Sequence, residues 1–281
     1  MFERVSNVSE GRAVESGQGA RGWSGVSGKR VLVTGGTRGL GEQIVRLLAA
    51  EGARVATCAR TARDLETLRG TVDAAAPDGL FTRALDVTEP ERLEAFVTAS
   101  ANRFGGLDGV VACAGGSRGR GLEQTDAEDW AATWELNVGH TARLVRAAVP
   151  YLRTAGGGSV VVISSISGWK PGPDAQYGTA KSAQIHLAAS LARELGPDGI
   201  RVNAVSPGSM LIPGRRWDRM RREDPEAFAA FAAAELPGGE PVAPQEVARV
   251  VAFLLSDWSS GISGANLPVD RAQNAPSPDG Y

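Results

Sequence analysis

The chain has 281 residues, of which 42% are hydrophobic and 22% are charged, and its formal net charge is −2. This composition is typical of a soluble globular protein, and so small a net charge produces no global attraction to nucleic acid or acidic membranes. The sequence has no apolar run near the roughly 20 residues that span a bilayer, and no secretory signal pattern. We therefore expect a cytoplasmic protein with neither a nucleic acid nor a membrane as partner.

The cysteines and histidines do not predict a metal site. Cys58 and Cys113 have no metal-type spacing, and each ends an apolar run, which indicates buried thiols. His140 and His186 lie in predicted helices, where we expect them to be structural. No metal cofactor is expected.

Short β-branched runs alternate with amphipathic segments along most of the chain. Strands are predicted at residues 30–34, 54–59, 80–87, 107–115, 159–165, 201–206 and 264–270. Helices are predicted at 40–52, 61–75, 90–104, 126–152, 174–195 and 245–255. This alternation predicts an α/β fold, a parallel sheet with helices on both faces. Pro268 places the last strand at a sheet edge, because proline cannot donate to a strand ladder.

Both ends of the chain differ in composition from the part between them. Residues 1–27 are rich in Gly, Ser and charge without any period, and they predict a flexible tail. Residues 272–281 are rich in proline and predict a second tail. A single catalytic domain is therefore expected over residues 28–271, with a substrate lid at about 209–237.

A glycine-rich turn, TGGTRGLG at residues 34–41, follows the first strand and opens the first helix. Glycines in this position let the backbone approach a pyrophosphate, and the helix N-terminus supplies N–H groups and the positive end of a dipole. The context of strand, turn and helix therefore predicts a dinucleotide site.

Further motifs follow in chain order. They are Asp86-Val87, Ala112-Cys113-Ala114-Gly115, Asn137, Ser164-Ser165, the YGTAK of residues 177–181 and Ser206-Pro207-Gly208. Together with the glycine turn, they resemble the short-chain dehydrogenase/reductase family over about residues 29–270. The resemblance implies a single Rossmann-like, doubly wound parallel sheet of about seven strands. It also implies a homo-oligomer, a tetramer or a dimer.

The resemblance further implies which positions contact a nicotinamide dinucleotide. They are Gly35, Thr37, Arg38, Gly39, Leu40, Gly41, Arg60, Asp86, Val87, Ala114, Gly115, Tyr177, Lys181, Pro207 and Gly208.

Charge at the end of the second strand favours NADP(H) over NAD(H). A carboxylate there would bind both ribose hydroxyls, but Ala59 and Arg60 occupy the position and the next acid is Asp64. Arg38 lies in the glycine turn, beside the expected adenosine ribose. Two arginines suit a 2′-phosphate, which guanidinium groups bind in a bidentate manner.

Tyr177 and Lys181 are spaced to share one face of a helix. A free tyrosine has a pKa near ~10, and an ammonium group one turn away is expected to lower it toward acid–base work. Ser165 is placed to donate a hydrogen bond to a developing oxyanion. The resemblance adds that Lys181 also holds the nicotinamide ribose and that Asn137 belongs to a proton relay.

The register of the catalytic serine stays open between two residues. Ser164 has the family's usual spacing to Tyr177, whereas Ser165 is one residue closer. Alignment on Gly168 favours Ser165, with a one-residue deletion before Tyr177.

The region that shapes the substrate pocket departs from the family pattern. The threonine usual after the Pro-Gly pair is absent, so Ser209 or backbone groups are expected at the nicotinamide end. Candidate substrate-lining residues are Ser117, Trp169, Met210 and Trp217. Five arginines lie between residues 215 and 222, either as a solvated helix face or as a docking site for an acidic carrier protein or an anionic substrate.

These features predict an NADPH-dependent reductase that converts a ketone, β-ketoacyl or secondary-metabolite in type, to a secondary alcohol. One alternative is an alcohol or diol dehydrogenase working in the oxidative direction. Another is a non-catalytic protein that senses NADP(H). The extended epimerase branch, which shares the Tyr-Lys motif, is disfavoured because the chain lacks its large C-terminal substrate domain.

Overall fold

A computed structural model describes residues 25–72, 79–172 and 174–275 of the protein. Its strands form one parallel sheet in the order β3-β2-β1-β4-β5-β6-β7. The strands are β1 Arg30–Thr34, β2 Arg54–Ala59, β3 Leu80–Ala84, β4 Gly109–Ala112, β5 Gly158–Ile163, β6 Ile200–Pro207 and β7 Asn266–Val269. The predicted parallel sheet is confirmed, and β7 with its Pro268 lies at the edge.

Nine α-helices are described, and six of them contribute to the cores on the two faces of the sheet. The nine are α1 Gly39–Ala50, α2 Ala62–Val72, α3 Pro90–Phe104, α4 Ala127–Trp134, α5 His140–Thr154, α6 Ala175–Leu195, α7 Arg216–Glu223, α8 Pro225–Glu235 and α9 Pro244–Leu255. Apolar residues of α3, α5 and α6 share one core cluster with the sheet, and those of α1, α2 and α9 share the other. The arrangement is the expected doubly wound α/β fold.

Burial on both faces explains why the central strands are apolar along their whole length. In β1, Leu32 faces the first cluster, while its neighbours Val31 and Val33 face the second. All three side chains are fully buried. Alternate residues of one strand therefore stabilise two separate cores.

The predicted helix at 126–152 is interrupted. Asp126 caps the start of α4 by accepting a hydrogen bond from the Asp129 N–H at 2.8 Å. A π-helical turn, Glu135–Gly139, then separates α4 from α5. Such a turn has hydrogen bonds from residue i to residue i+5, which apolar periodicity does not predict.

Two strands end earlier than predicted, because side chains take over backbone hydrogen bonds. The Thr34 hydroxyl accepts from the N–H groups of Cys113 and Ala114, which ends β4 at Ala112. Asp86 accepts from the Thr88 N–H and turns the chain after β3. The residues released from these strands form loops at the carboxyl edge of the sheet.

Both predicted tail boundaries are wrong by a few residues. Val26 is fully buried in the core, because it packs beside α1 and α9. Gln273 is 8% exposed, because its side chain hydrogen-bonds to Ser209. The rest of the predicted tails, residues 1–24 and 276–281, lies outside the described residues.

The strand order reverses between β1 and β4, because one half of the sheet continues through β2 and β3 and the other through β5, β6 and β7. In open α/β sheets, ligands bind in the crevice outside the carboxyl ends of the strands at such a switch point. Within the described ranges, no helix is long and apolar enough to cross a membrane.

Candidate active site

A cleft of about 830 Å³ lies at the carboxyl edge of the sheet. Every position predicted to contact a dinucleotide lines it, from the glycine turn after β1 to the Pro-Gly pair that ends β6. Ser164 and Ser165 also line it. The fold thus brings residues from distant parts of the sequence to one cavity.

The glycine turn is closed too tightly for side chains. A Cβ atom on Gly41 would lie 2.2 Å from the Gly35 carbonyl oxygen. Gly35 has a φ of +76° and donates its N–H to the carbonyl of the buried Cys58 at 3.0 Å. Helix α1 begins at Gly39, and the preceding Arg38 makes no side-chain cap. The turn therefore presents backbone N–H groups and a helix N-terminus to the cleft.

His140 is fully buried, and its ring hydrogen-bonds to groups next to the cleft. Its Nδ1 lies 2.5 Å from the Leu136 carbonyl, so Nδ1 carries the proton and donates. Nε2 of His140 then accepts from the Thr34 hydroxyl at 3.4 Å. That hydroxyl in turn accepts from the N–H groups of Cys113 and Ala114. Cys113 is only partly buried, because this loop lines the cleft, whereas the sequence predicted a buried thiol.

Acid is expected to destabilise the fold through His140. Burial lowers the pKa of this histidine from 6.5 to about 4, so between these values the unfolded chain binds more protons than the folded chain. Stability is therefore lost as the pH falls through this window. Relative to His140→Gln, the wild type should lose about 2 kcal/mol of unfolding free energy between pH 7 and pH 5. Denaturant unfolding at both pH values measures this difference, and parallel losses in the two proteins would contradict it.

Three arginines line one region of the cleft. Burial lowers the pKa of Arg38, and the charges of Arg215 and Arg60 lower it further, whereas the charge of Asp64 raises it. All four residues line the cleft. Mutual repulsion of three guanidinium groups favours an anionic ligand between them.

A carboxylate lies next to this group of arginines. Burial alone would raise the pKa of Asp86, but the hydrogen bonds from Thr88 and the charges of Arg60 and Arg118 outweigh it, and the pKa is lowered. The Thr88 N–H and hydroxyl both donate to Asp86, at 3.0 and 2.8 Å. Asp86 is therefore ionised at neutral pH and fixed by its own turn.

Tyr177, Ser165 and Lys181 meet at the other side of the cleft. Tyr177 and Lys181 lie one turn apart on α6, with Nζ of Lys181 5.5 Å from the centre of the tyrosine ring. The side chain of Ser165 lies within hydrogen-bonding reach of the Tyr177 hydroxyl. Two hydroxyl groups and an ammonium group thus surround one position in the cavity.

The two candidate serines make different contacts. The Ser164 hydroxyl donates to the main-chain carbonyl of Lys181 at 2.8 Å and is buried. Ser165 follows the end of β5 and caps a 3-10 turn, where its oxygen accepts from the Ser167 N–H at 3.1 Å. Only Ser165 of the two therefore has its hydroxyl beside Tyr177.

Burial, rather than the neighbouring lysine, governs the proton affinity of Tyr177. Burial raises its pKa, while the hydrogen bond from Ser165 acts in the opposite direction and is smaller. Lys181 is not among the groups that shift this pKa, so the predicted lowering by the lysine is not supported. Tyr177 is partly buried and Lys181 is 3% exposed, and burial of this kind disfavours the phenolate.

Lys181 is held by two buried acceptors. Its Nζ donates to the Ile163 carbonyl at 2.9 Å and to Oε1 of Gln184 at 2.8 Å. Burial lowers its pKa to about 8, and the nearby Cys113 opposes this effect. The side chain is 3% exposed and lines the cleft.

Asn137 lies behind the cleft and not in its lining. It is fully buried in the π-helical turn, and its Nδ2 donates to the carbonyls of Gly116 and Thr133, both at 2.7 Å. Its main-chain carbonyl accepts from the Thr141 hydroxyl at 2.6 Å and from Nε2 of Gln184 at 3.0 Å. The side chain of Asn137 therefore fixes the loop after β4.

Two of the four candidate substrate-lining residues line the cleft. Ser117 and Met210 do so, whereas Trp169 and Trp217 do not. Trp169 is 39% exposed, and Trp217 stacks on Phe231 of α8 with 3.9 Å between ring centres. The two tryptophans therefore lie outside the lining of this cleft, and their role at the substrate stays a prediction.

Ser209, the expected substitute for the missing threonine, is also absent from the lining. Its N–H donates to Oε1 of Gln273 at 2.7 Å, and its hydroxyl accepts from Nε2 of Gln273 at 2.9 Å. The segment after β7 thus fixes the loop after β6.

The lid consists of α7 and α8. Its five arginines are exposed, and Asp218 pairs with Arg222 at 3.2 Å and with Arg221 at 3.9 Å. Lys170 links the loop after β5 to the lid through an ion pair with Glu235. Exposure agrees with a solvated face, and docking of an acidic carrier protein stays a prediction.

No sequence motif marks Arg215 or Gln184 as a residue of the site. Arg215 was counted among the lid arginines, and only the folded lid brings it near Arg38. Gln184 is a polar residue three positions after Lys181 on α6. Its spacing from the lysine was the only available signal.

A glycine turn for phosphates and a Tyr–Ser–Lys group, placed in one cleft of a doubly wound sheet, define a dinucleotide-dependent oxidoreductase as the class of protein. A family model described as "Enoyl-(Acyl carrier protein) reductase" matches residues 35–271. The chain belongs to the short-chain dehydrogenase/reductase family.

Two relatives illustrate the range of the family. The chain is 36% identical over 251 residues to isoepoxydon dehydrogenase of Penicillium expansum, covering 88% of this chain and 95% of that protein. It is 35% identical over 270 residues to an uncharacterized NAD-dependent oxidoreductase of Mycobacterium tuberculosis, covering 90% and 98%.

A solved structure shares the fold. L-sorbose reductase of Gluconobacter frateurii, complexed with NADPH and L-sorbose, superposes with a TM-score of 0.84 and 29% identity. The match covers 90% of this chain and 99% of that chain.

Proposed function

We propose that the protein is an NADPH-dependent reductase that converts a ketone to a secondary alcohol. The observation that carries the proposal is the meeting of Tyr177, Ser165 and Lys181 in the cleft that the glycine turn opens. Similarity to a reductase solved with NADPH supports it.

The residues present fit a nicotinamide dinucleotide phosphate. The closed glycine turn at the start of α1 suits the pyrophosphate, since no Cβ fits at Gly41. Arg38, Arg60 and Arg215 suit the 2′-phosphate, which their mutual repulsion favours. When bound, the dinucleotide supplies the hydride. One relative is named as NAD-dependent, so membership of the family alone leaves both NAD and NADP as possible cofactors. The proposal of NADPH therefore rests on the arginines of this chain.

The proton chemistry follows from the three side chains. Tyr177 donates its proton to the carbonyl oxygen as negative charge develops there. Ser165 stabilises the same oxygen by a hydrogen bond. Lys181 lies one turn after Tyr177 on α6, and its two buried acceptors leave one Nζ N–H for a ligand. It is placed to bind the ribose and to stabilise the phenolate that remains.

The pKa of Tyr177 favours the reductive direction. Burial raises it, so the phenol is protonated at neutral pH and ready to donate. The oxidative direction requires the phenolate, which burial disfavours. Reduction is therefore favoured over the alternative of an alcohol dehydrogenase.

The experiment is NADPH consumption against a panel of carbonyl compounds. The panel contains β-ketoacyl thioesters, polycyclic aromatic ketones, steroid ketones and small ketones, because the lid leaves the substrate class open. We expect turnover of at least one class with NADPH, and slower turnover with NADH. Tight binding of NADPH with no turnover of any class would favour a protein that senses the cofactor.

A further inference from the structure

A buried glutamine connects the lysine of the site to the π-helical turn. Oε1 of Gln184 accepts from Nζ of Lys181 at 2.8 Å. Nε2 of Gln184 donates to the main-chain carbonyl of Asn137 at 3.0 Å and to the Thr141 hydroxyl at 3.1 Å. The side chain is fully buried.

The chemistry of the partners fixes the orientation of this amide. An ammonium group can only donate, so the amide oxygen must face Lys181. A carbonyl can only accept, so the amide nitrogen must face Asn137. Both ends agree with one orientation, and a flipped amide would place two donors together at Lys181.

The second contact of Gln184 reaches the π-helical turn Glu135–Gly139. The Asn137 carbonyl in this turn accepts from two side chains, Thr141 of α5 and Gln184 of α6. Gln184 therefore links α6 to this turn.

We propose that Gln184 is a positioning residue of the active site, whose amide links the Lys181 ammonium to the Asn137 carbonyl and holds both in place. The proposal rests on the proposed function for the role of Lys181 in proton chemistry. The link itself rests on the hydrogen bonds alone.

Lysine needs such support here. Its four-carbon stem is flexible, and its ammonium group is strongly hydrated in water but buried in this protein. Two acceptors, the Ile163 carbonyl and Gln184, replace that hydration and leave one N–H for a ligand in the cleft. Removing one acceptor leaves the ammonium with a single fixed contact, which disfavours the charged form.

Other titratable groups also face Lys181. Tyr177 lies on the same helix, Cys113 follows β4 and His140 begins α5. None of them contacts Gln184 among the hydrogen bonds of the described residues. A change at Gln184 therefore acts on Lys181 directly and leaves these neighbours in place.

The titration of Lys181 tests the link without turnover. The chain has only three lysines, Lys29, Lys170 and Lys181, so selective ¹³Cε labelling gives three NMR signals. Lys29→Arg and Lys170→Arg assign them. In Gln184→Leu, the pKa of Lys181 is expected to fall by about one unit, because one charge-stabilising hydrogen bond is lost. In Gln184→Glu it should rise, because a carboxylate replaces the amide oxygen.

The matched control is Thr141→Val. It removes a buried hydroxyl from the same network without touching Lys181, so it should lower stability and leave the lysine titration unchanged. If Gln184→Leu yields too little folded protein, Gln184→Glu tests the same contact with the opposite sign. An unchanged Lys181 pKa in the Gln184 variants, or an equal shift in Thr141→Val, would overturn the proposal.

The outcomes separate the link from the proposed function. A protein that reduces no carbonyl, but in which Gln184→Leu still lowers the pKa of Lys181, would contradict the reductase and support the link. A working reductase whose Lys181 titrates identically in wild type and in both Gln184 variants would leave the reductase standing and refute the link.

Discussion

Replacing Tyr177 with phenylalanine is expected to lower kcat by a factor of about 10² to 10⁴, the usual contribution of a general acid. The ring stays and only the hydroxyl is lost, so packing and cofactor binding should change little. Steady-state rates and a fluorescence titration with NADPH measure the two quantities on the same preparation.

Tyr151→Phe is the matched control. This tyrosine lies on α5, and its hydroxyl donates to Thr98 at 3.2 Å, far from the cleft lining. Its loss should leave kcat within about twofold, because an exposed hydrogen bond contributes little. A Tyr177→Phe enzyme that keeps more than a tenth of the wild-type kcat would contradict the assigned role.

Removing Arg38 and Arg60 together is expected to weaken NADPH binding by about 10² to 10⁴-fold. Each lost charge-assisted contact to a phosphate is worth about 1.5 to 3 kcal/mol, or roughly ten- to a hundredfold in affinity. NADH has no 2′-phosphate, so its affinity should change little. The single variant Arg60→Ala should show the same selectivity with a smaller loss. Equilibrium titration with both cofactors measures the ratio.

Arg219→Ala provides the control for charge alone. Arg219 lies on α7 among the exposed lid arginines, but it does not line the cleft. Its removal should leave the NADPH to NADH ratio unchanged. Equal losses for NADPH and NADH in the Arg38 and Arg60 variant would refute the assignment of the 2′-phosphate.

Much of the fold could be predicted from local patterns. The β-branched runs of β1, β2 and β5 are buried on both faces. A short apolar run that alternates with helices along the chain is typical of such a buried parallel strand. The glycine turn was equally predictable, because the close approach of Gly41 to Gly35 excludes any side chain.

Features that depend on tertiary contacts could not be predicted in this way. The π-helical turn contains the Asn137 carbonyl, which accepts hydrogen bonds from side chains of α5 and α6. Trp217 has an obvious partner only after the lid folds and Phe231 of α8 reaches it. The pKa of Tyr177 depends on burial, which spacing along a helix does not reveal.

The position of the three arginines that line the cleft also depends in part on tertiary contacts. Arg38 lies in the glycine turn after β1 and Arg60 directly follows β2, so the sequence motifs already place these two residues near each other. Arg215 lies in the lid. Only the packed lid shows that all three charges act on one another. Sequence motifs therefore predict the site residues that directly follow regular strands. They do not predict residues such as Arg215, which only the packing of the lid brings to the cleft.

The most direct test of the central claim follows the transferred hydrogen. NADPH carrying deuterium in both positions at C4 of the nicotinamide is given to the enzyme with its best ketone, and the alcohol is analysed by mass spectrometry. A ketone reductase with Tyr177 as its acid is expected to place one deuterium on the carbinol carbon of every product molecule, and Tyr177→Phe is expected to lose this product. Consumption of NADPH without deuterium in the alcohol, or unchanged product in Tyr177→Phe, would contradict it.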